Sequence, residues 1–178
     1  ELVLEGRLFP IQDVSLPEGP IGEFTGYYAA EARPGPVMQV TAIHLRDDPI
    51  LLGSPPMKPP RFHFGLPFRA ATIWSNLEAA GVTDVTGAWQ HVSQLMTVVA
   101  LRQRYDGHAK RAGLVAAAHS YMARLIVVVD EDVEPSNLAD VMWAVTTRCE
   151  PADNIDIIRQ AWSSALDPRI PPADKDRG

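Results

Sequence analysis

Cysteine occurs once in this chain, at Cys149, which excludes an internal disulfide framework and a thiolate metal knuckle. That usage fits a reducing compartment, and a cytoplasmic location is expected. Cys149 follows the run VMWAVTTR at the end of a predicted helix, where a small packed side chain is a simpler reading than a nucleophile. No apolar run approaches the roughly 20 residues that span a bilayer, and ELVLEGRLF lacks the charged start and apolar centre of a signal peptide. Basic charge is also scarce: Lys and Arg number 16 against 22 Asp and Glu, a formal net charge of -6. With no basic cluster, neither nucleic acid nor an anionic membrane surface is an expected partner. The phosphate-cradling glycine patterns GxGxxG and GxxxxGK[ST] are missing, which sets aside dinucleotide and P-loop binding. Five histidines, at 44, 63, 91, 108 and 119, never fall at HxH, HxxxH or HExxH spacing, so the chain by itself shows no metal site.

What is present is enough apolar material, 46% of 178 residues, to bury a core in one or two domains. ELVLEGRLF (1–9) and VMQVTAIHLR (37–46) alternate apolar and polar residues, the pattern of strands in one antiparallel unit. GSPPMKPP (53–60) holds four prolines and reads as a linker or long loop. Beyond it the period changes: helix over 67–81, strand over 92–103, helix over 108–123, buried strand over 125–133, helix over 135–147 opened by Pro135 and Ser136, and a last strand within 155–160. Such alternation predicts α/β layering, with a sheet formed by 92–102, 125–130 and 155–159. The tail LDPRIPPADKDRG has three prolines and no apolar face, and a loose end is expected. Glu1, not Met, opens the chain, so the sequence reads as a fragment, a processed product or an excised piece.

Three places offer chemistry. In DGHAKR, Gly107 can take a positive φ ahead of His108, Lys110 and Arg111, which suits either a phosphate-binding loop or a helix start. The acidic run VVVDEDVEP (127–135) suits either a divalent cation or a solvated turn that caps the next helix. The third is PEGPIGEFTGYY (17–28), where Glu18 and Glu23 flank Gly19, Pro20 and Gly22. Glycine and proline there stiffen the backbone and remove bulk, leaving room for a flat ligand. Two carboxylates held close repel, so that one retains a proton and acts as an acid. An ordinary polar hairpin tip is the alternative.

PEGPIGEFTGYY closely resembles the E-G-P-[FYI]-G-[ED]-x-x-G-Y segment of the UbiD family of reversible prenylated-flavin decarboxylases. Other segments agree in order: ELVLEG before the turn, AIHLRDDPI, YDGHAKR, and LIVVVDEDVEPSNLADVMWAVTTRCEP. The resemblance covers almost the whole chain and departs from the family at LLGSPPMKPPRFHFG. It implies a mixed α/β (α+β) fold, in which 1–56 end a split β-barrel-like flavin-binding domain and 57–178 form an α/β C-terminal assembly domain.

The resemblance further implies a non-oxidative decarboxylase or carboxylase of aromatic or α,β-unsaturated carboxylic acids that uses prenylated FMN. Glu18 and Glu23 fall on the family's catalytic acids, Glu23 as the proton donor and Glu18 in a proton network shared with it and with an arginine. Arg124 stands where the family has a lysine that contacts the cofactor phosphate, with a planar fork in place of a point charge. The catalytic arginine and the ligands of a divalent metal (manganese), and of a possible potassium ion, lie upstream of ELVLEG in the family and outside this chain. Activity is therefore expected only with a missing N-terminal half or a companion subunit, in a homo-oligomer. The alternative is a non-catalytic assembly or partner-binding module derived from the family.

Overall fold

The computed structural model describes residues 2–53, 55–59 and 67–177. His63, and Ser54 and Pro60 of the proline-rich stretch expected as a linker, lie outside them. The chain forms two units, Glu1–Lys58 with Ala165–Arg177, and Pro59–Ser164.

In the first unit β1 (Leu2–Leu8) pairs antiparallel with β4 (Met38–Leu45), with an irregularity between Glu5 and Gly6. These are the two alternating segments of the sequence, and they pair as expected. Between them β2 (Ser15–Glu18) and β3 (Arg33–Pro36) form a separate antiparallel pair, in which Leu16 lies opposite Gly35 and Glu18 opposite Arg33. Both sheets are two-stranded, and Leu4, Leu8, Leu16, Ile43 and Leu45 are exposed on them.

The tail expected to end loosely is braced by bonds among its own residues. Asp167 is only 1% exposed and is gripped by Arg169, whose Nη2 lies 3.1 Å from Oδ2. Lys175 donates to the carbonyls of Ala165, at 2.9 Å, and of Asp167.

The second unit is a three-layer arrangement around one short sheet, order β5 (Val85–His91), β6 (Met96–Leu101), β7 (Leu125–Asp130). All six residues of β6 are buried, and their alternation sends side chains to two cores. Val99 and Leu101 pack with Ile73 and Leu77 of α1 (Phe68–Ala79) and Ala112 and Ala116 of α2 (His108–His119). Met96, Val98 and Ala100 pack on the other face with Val129, Val133, and Val141 and Ala144 of α3 (Leu138–Arg148). Helices on both faces explain why the strand reads as a continuous apolar run. β6 and β7 are parallel, joined through α2, while β5 and β6 are antiparallel.

Three expectations need correction. Residues 155–159 are not a strand: the described backbone there joins no ladder, and Ile155, Ile157 and Ile158 are exposed. The segment follows the single turn α4 (Pro151–Asn154), and Asp156 is drawn to Lys110 at 3.2 Å. The third strand is instead β5, and β6 begins at Met96, since Val92, Ser93 and Gln94 have φ of 49°, 60° and 101°, incompatible with an extended strand. Finally α3 is capped by Asn137, whose side chain accepts from the Ala139 N–H at 3.1 Å. Ser136 lies one residue earlier and donates to Glu134.

The acidic run between β7 and α3 is organised by Arg148. Its guanidinium reaches Asp130 Oδ2 at 3.0 Å and both Asp132 oxygens, at 2.8 and 2.6 Å, and stacks over Trp143 at 4.7 Å. A paired fork of this kind holds the Asp132 carboxyl below the usual carboxylate range. The Ser136 hydroxyl and N–H do the same for Glu134.

Two expectations follow for stability. Leu77→Ala removes a fully buried side chain from the α1 core and is expected to cost about 2–5 kcal/mol, measured by denaturant unfolding. Because the Asp132 pKa is depressed, its contribution is present above the ordinary carboxylate range and lost as pH falls through the folded value. Arg148→Met should therefore be less stable than wild type at neutral pH, and the difference should close on acidification, followed by unfolding at stepped pH.

Candidate active site

β2 delivers Glu18 to a turn with little freedom. Pro17 precedes it, Gly19 follows at φ 94°, and Pro20 fixes the next φ near −65°. The chain then closes on itself: Gly22 bridges Tyr28, the Glu23 N–H donates to the Tyr27 carbonyl at 2.8 Å, and the Gly26 N–H donates to the Glu23 carbonyl at 2.9 Å. Thr25 is buried inside the turn. Gly26 sits at φ 82°, where a Cβ would lie 2.8 Å from the Met57 carbonyl oxygen, so only glycine suits both the angle and the space.

The turn therefore carries Glu18 exposed and Glu23 half-buried. Among the described residues neither carboxylate forms an ion pair, although Arg33 is the ladder partner of Glu18. The side chain of Glu18 lies against the backbone of Gly35. An open pocket of about 290 Å³ is lined by Ser15, Leu16, Pro17, Ala32, Arg33 and Pro34. The proline-rich stretch also reaches this turn: Pro56 lies beside Gly22, and Lys58 Nζ is 5.2 Å from the Tyr27 ring centre.

Arg124 lies in the other unit, immediately before β7. Its backbone N–H donates to the Leu95 carbonyl at 2.6 Å, and its half-buried guanidinium donates to Ser163 Oγ at 3.0 Å. Ser163 and the adjacent Ser164 are buried. Sequence reading missed this pair, because two serines in a segment without apolar periodicity carry no burial signal.

The other candidates are engaged, save the buried Nε2 of His108, which has no hydrogen-bond partner among the described residues. His108 begins α2 fully buried, stacked on Tyr105 with ring centres 4.5 Å apart, and its Nδ1 accepts from the Arg104 N–H at 3.3 Å. Lys110 pairs with Asp156, and Arg111 donates to the Ala80 carbonyl at 2.6 Å, so this motif works as a helix start. In the acidic run Asp130 and Asp132 hold Arg148, Glu131 lies 3.6 Å from Arg102, and Glu134 accepts from Ser136. Among the described residues no group of three or more His, Cys, Asp or Glu could hold a metal ion, and no helix is long and apolar enough to cross a membrane.

Comparison with known proteins places these residues in a family. Residues 1–59 match the 3-octaprenyl-4-hydroxybenzoate carboxy-lyase Rift-related domain, and residues 62–178 match the C-terminal domain of the same carboxy-lyase. A phenolic acid decarboxylase of Bacillus subtilis is 29% identical over 187 residues, covering 97% of this chain and 37% of its own length. The UbiD-class enzyme HmfF of Pelotomaculum thermopropionicum, solved with FMN, superposes with a TM-score of 0.76 at 28% identity, over 96% of this chain and 38% of that one. Vanillic acid decarboxylase of Sedimentibacter hydroxybenzoicus, in its open form, gives 0.76 at 27% identity, over 96% and 37%. The chain thus spans a little over a third of the length of these relatives. With two consecutive domain matches and a mixed α/β fold shared with UbiD-class enzymes, this chain belongs to the UbiD family of carboxy-lyases.

Proposed function

We propose that this chain is part of a non-oxidative decarboxylase or carboxylase of aromatic or α,β-unsaturated carboxylic acids, working with prenylated FMN. The observation that carries the reading is the closed turn holding Glu18 and Glu23, in a chain whose relatives include a phenolic acid decarboxylase and HmfF, the latter also solved with prFMN. In this reading Glu23 is the proton donor and Glu18 exchanges protons with it.

When bound, prenylated FMN supplies an electron sink for the pair released from the breaking C–CO2 bond. The chain's residues do the rest. Glu23, half-buried and fixed through its own N–H and carbonyl, holds a proton where the product carbon needs it. Glu18, exposed beside the pocket, returns a proton after each turnover. Arg124, whose guanidinium donates to Ser163 Oγ at 3.0 Å, is our assignment for the cofactor phosphate, a group that a guanidinium can pair with.

The same reading makes 1–56 the end of a split-barrel-like flavin-binding domain and 57–178 an assembly domain in a cytoplasmic homo-oligomer. The catalytic arginine and the manganese and potassium ligands then lie in an N-terminal half or companion subunit. Two facts support that need: the relatives are far longer than this chain, and an exposed two-stranded sheet such as β1–β4 is marginal by itself. A second reading, a non-catalytic assembly module, is favoured by the exposed Leu138, Met142, Ile155, Ile157, Ile158 and Trp162 of the second unit.

The isolated chain, given prenylated FMN and a divalent metal, is expected to turn over no aromatic or unsaturated acid; measurable CO2 release would contradict the division of labour. In the complete protein Glu23→Gln should bind cofactor normally, while turnover falls roughly 10² to 10⁴-fold and solvent deuterium incorporation into product falls with it. Near-normal turnover would return the turn to a polar hairpin and favour the assembly reading.

A further inference from the structure

Gly35 sits in the second strand of the β2–β3 pair, opposite Leu16 and diagonal to Glu18. It is buried while its neighbours Arg33, Pro34 and Pro36 are exposed. A Cβ at this position would lie 2.9 Å from Glu18 Cβ, 3.0 Å from Oε2 and 3.5 Å from Cδ. The glutamate side chain therefore lies flat on the bare Cα of Gly35 along its whole length, from its root to one carboxyl oxygen.

Two reasons usually account for a glycine: a left-handed backbone or a lack of space. Here only the second applies. Gly35 is absent from the positive-φ glycines of the chain, and it stands inside a strand between Pro34 and Pro36. A residue before proline is held to extended conformations that alanine adopts freely. The vacancy of one methyl group is thus what the position supplies, and Glu18 fills it.

We propose that Gly35 is a positioning residue for Glu18: it forms the floor that sets the direction of the Glu18 carboxyl group. This rests on the reading of Glu18 as part of the proton network. Rotation of the carboxyl end alone cannot relieve an added methyl, because the nearest clash is with Glu18 Cβ, which moves only with the main chain. Any side chain at 35 pushes β2 and β3 apart at Glu18, and a displacement of about 1 Å at a reacting group is enough to lower turnover on the order of 10²-fold.

The test is Gly35→Ala in the complete protein, with and without Glu18→Gln, together with ¹³C NMR of the labelled glutamate carboxyl carbons. Gly35→Ala is expected to lower kcat by about 10²-fold with KM and cofactor binding little changed, to shift the Glu18 carboxyl resonance, and to add no further loss in the Glu18→Gln background. Should Gly35→Ala impair folding instead, Glu18→Gly in the same chain removes the three atoms nearest the methyl and should restore it. An unmoved Glu18 resonance, full additivity of the two losses, or no restoration by Glu18→Gly would overturn the proposal. Normal turnover by Glu18→Gln, with the resonance still shifted by Gly35→Ala, would sink the catalytic reading of Glu18 and leave the positioning contact standing.

Discussion

The acids of the candidate site are held by main chain and by the absence of bulk. Among the described residues no ion pair fixes Glu18 or Glu23. Instead Pro17 and Pro20 restrict the approach, the Glu23 N–H and carbonyl are both bonded within 23–27, and Gly26 and Gly35 let neighbouring groups come within contact distance. A turn whose position is set by its own main chain carries its acids at defined places, which is what the proposed proton transfer asks of them. The tight turn and the chemistry proposed for it are therefore the same constraint seen at two levels.

The second unit rests on β6. Burial on both faces lets six residues organise two cores, one under α1 and α2 and one under α3. The loop leaving β7 then carries a concentration of acids, and Arg148 on α3 pairs with two of them while covering Trp143. The run that could have been a cation site is in this way a clasp between a strand and the following helix. Arg124 precedes β7 at its other end, where its N–H donates to the Leu95 carbonyl.

Much of this was legible in the sequence where apolar periodicity matched burial. β1, β4, β7 and the three long helices follow their patterns, and the ordered motifs by themselves point to the family. β5 was missed because the residues it buries are Gly87 and Gln90: Gly87 lies where a Cβ would touch Pro135, and Gln90 donates to Thr97. Residues 155–159 misled in the opposite direction, since their isoleucines are exposed and no neighbouring strand pairs with them. Asp167, Ser163 and Ser164 are buried polar groups in a stretch without apolar periodicity, and periodicity has nothing to say about such positions. Glu18 and Glu23 stood out through local chemistry and motif, while the contact of Glu18 with Gly35 joins residues on two different strands and emerges only from their pairing.

The central claim is that the Glu18–Glu23 turn faces the reacting carbon. A structure of the complete protein with prenylated FMN and an unreactive substrate analogue tests it most directly. The account predicts a Glu23 carboxyl oxygen within about 3.5 Å of the carbon that bears the carboxylate, with Glu18 still lying on Gly35. A turn pointing to solvent, with some other acid at that distance, would contradict it.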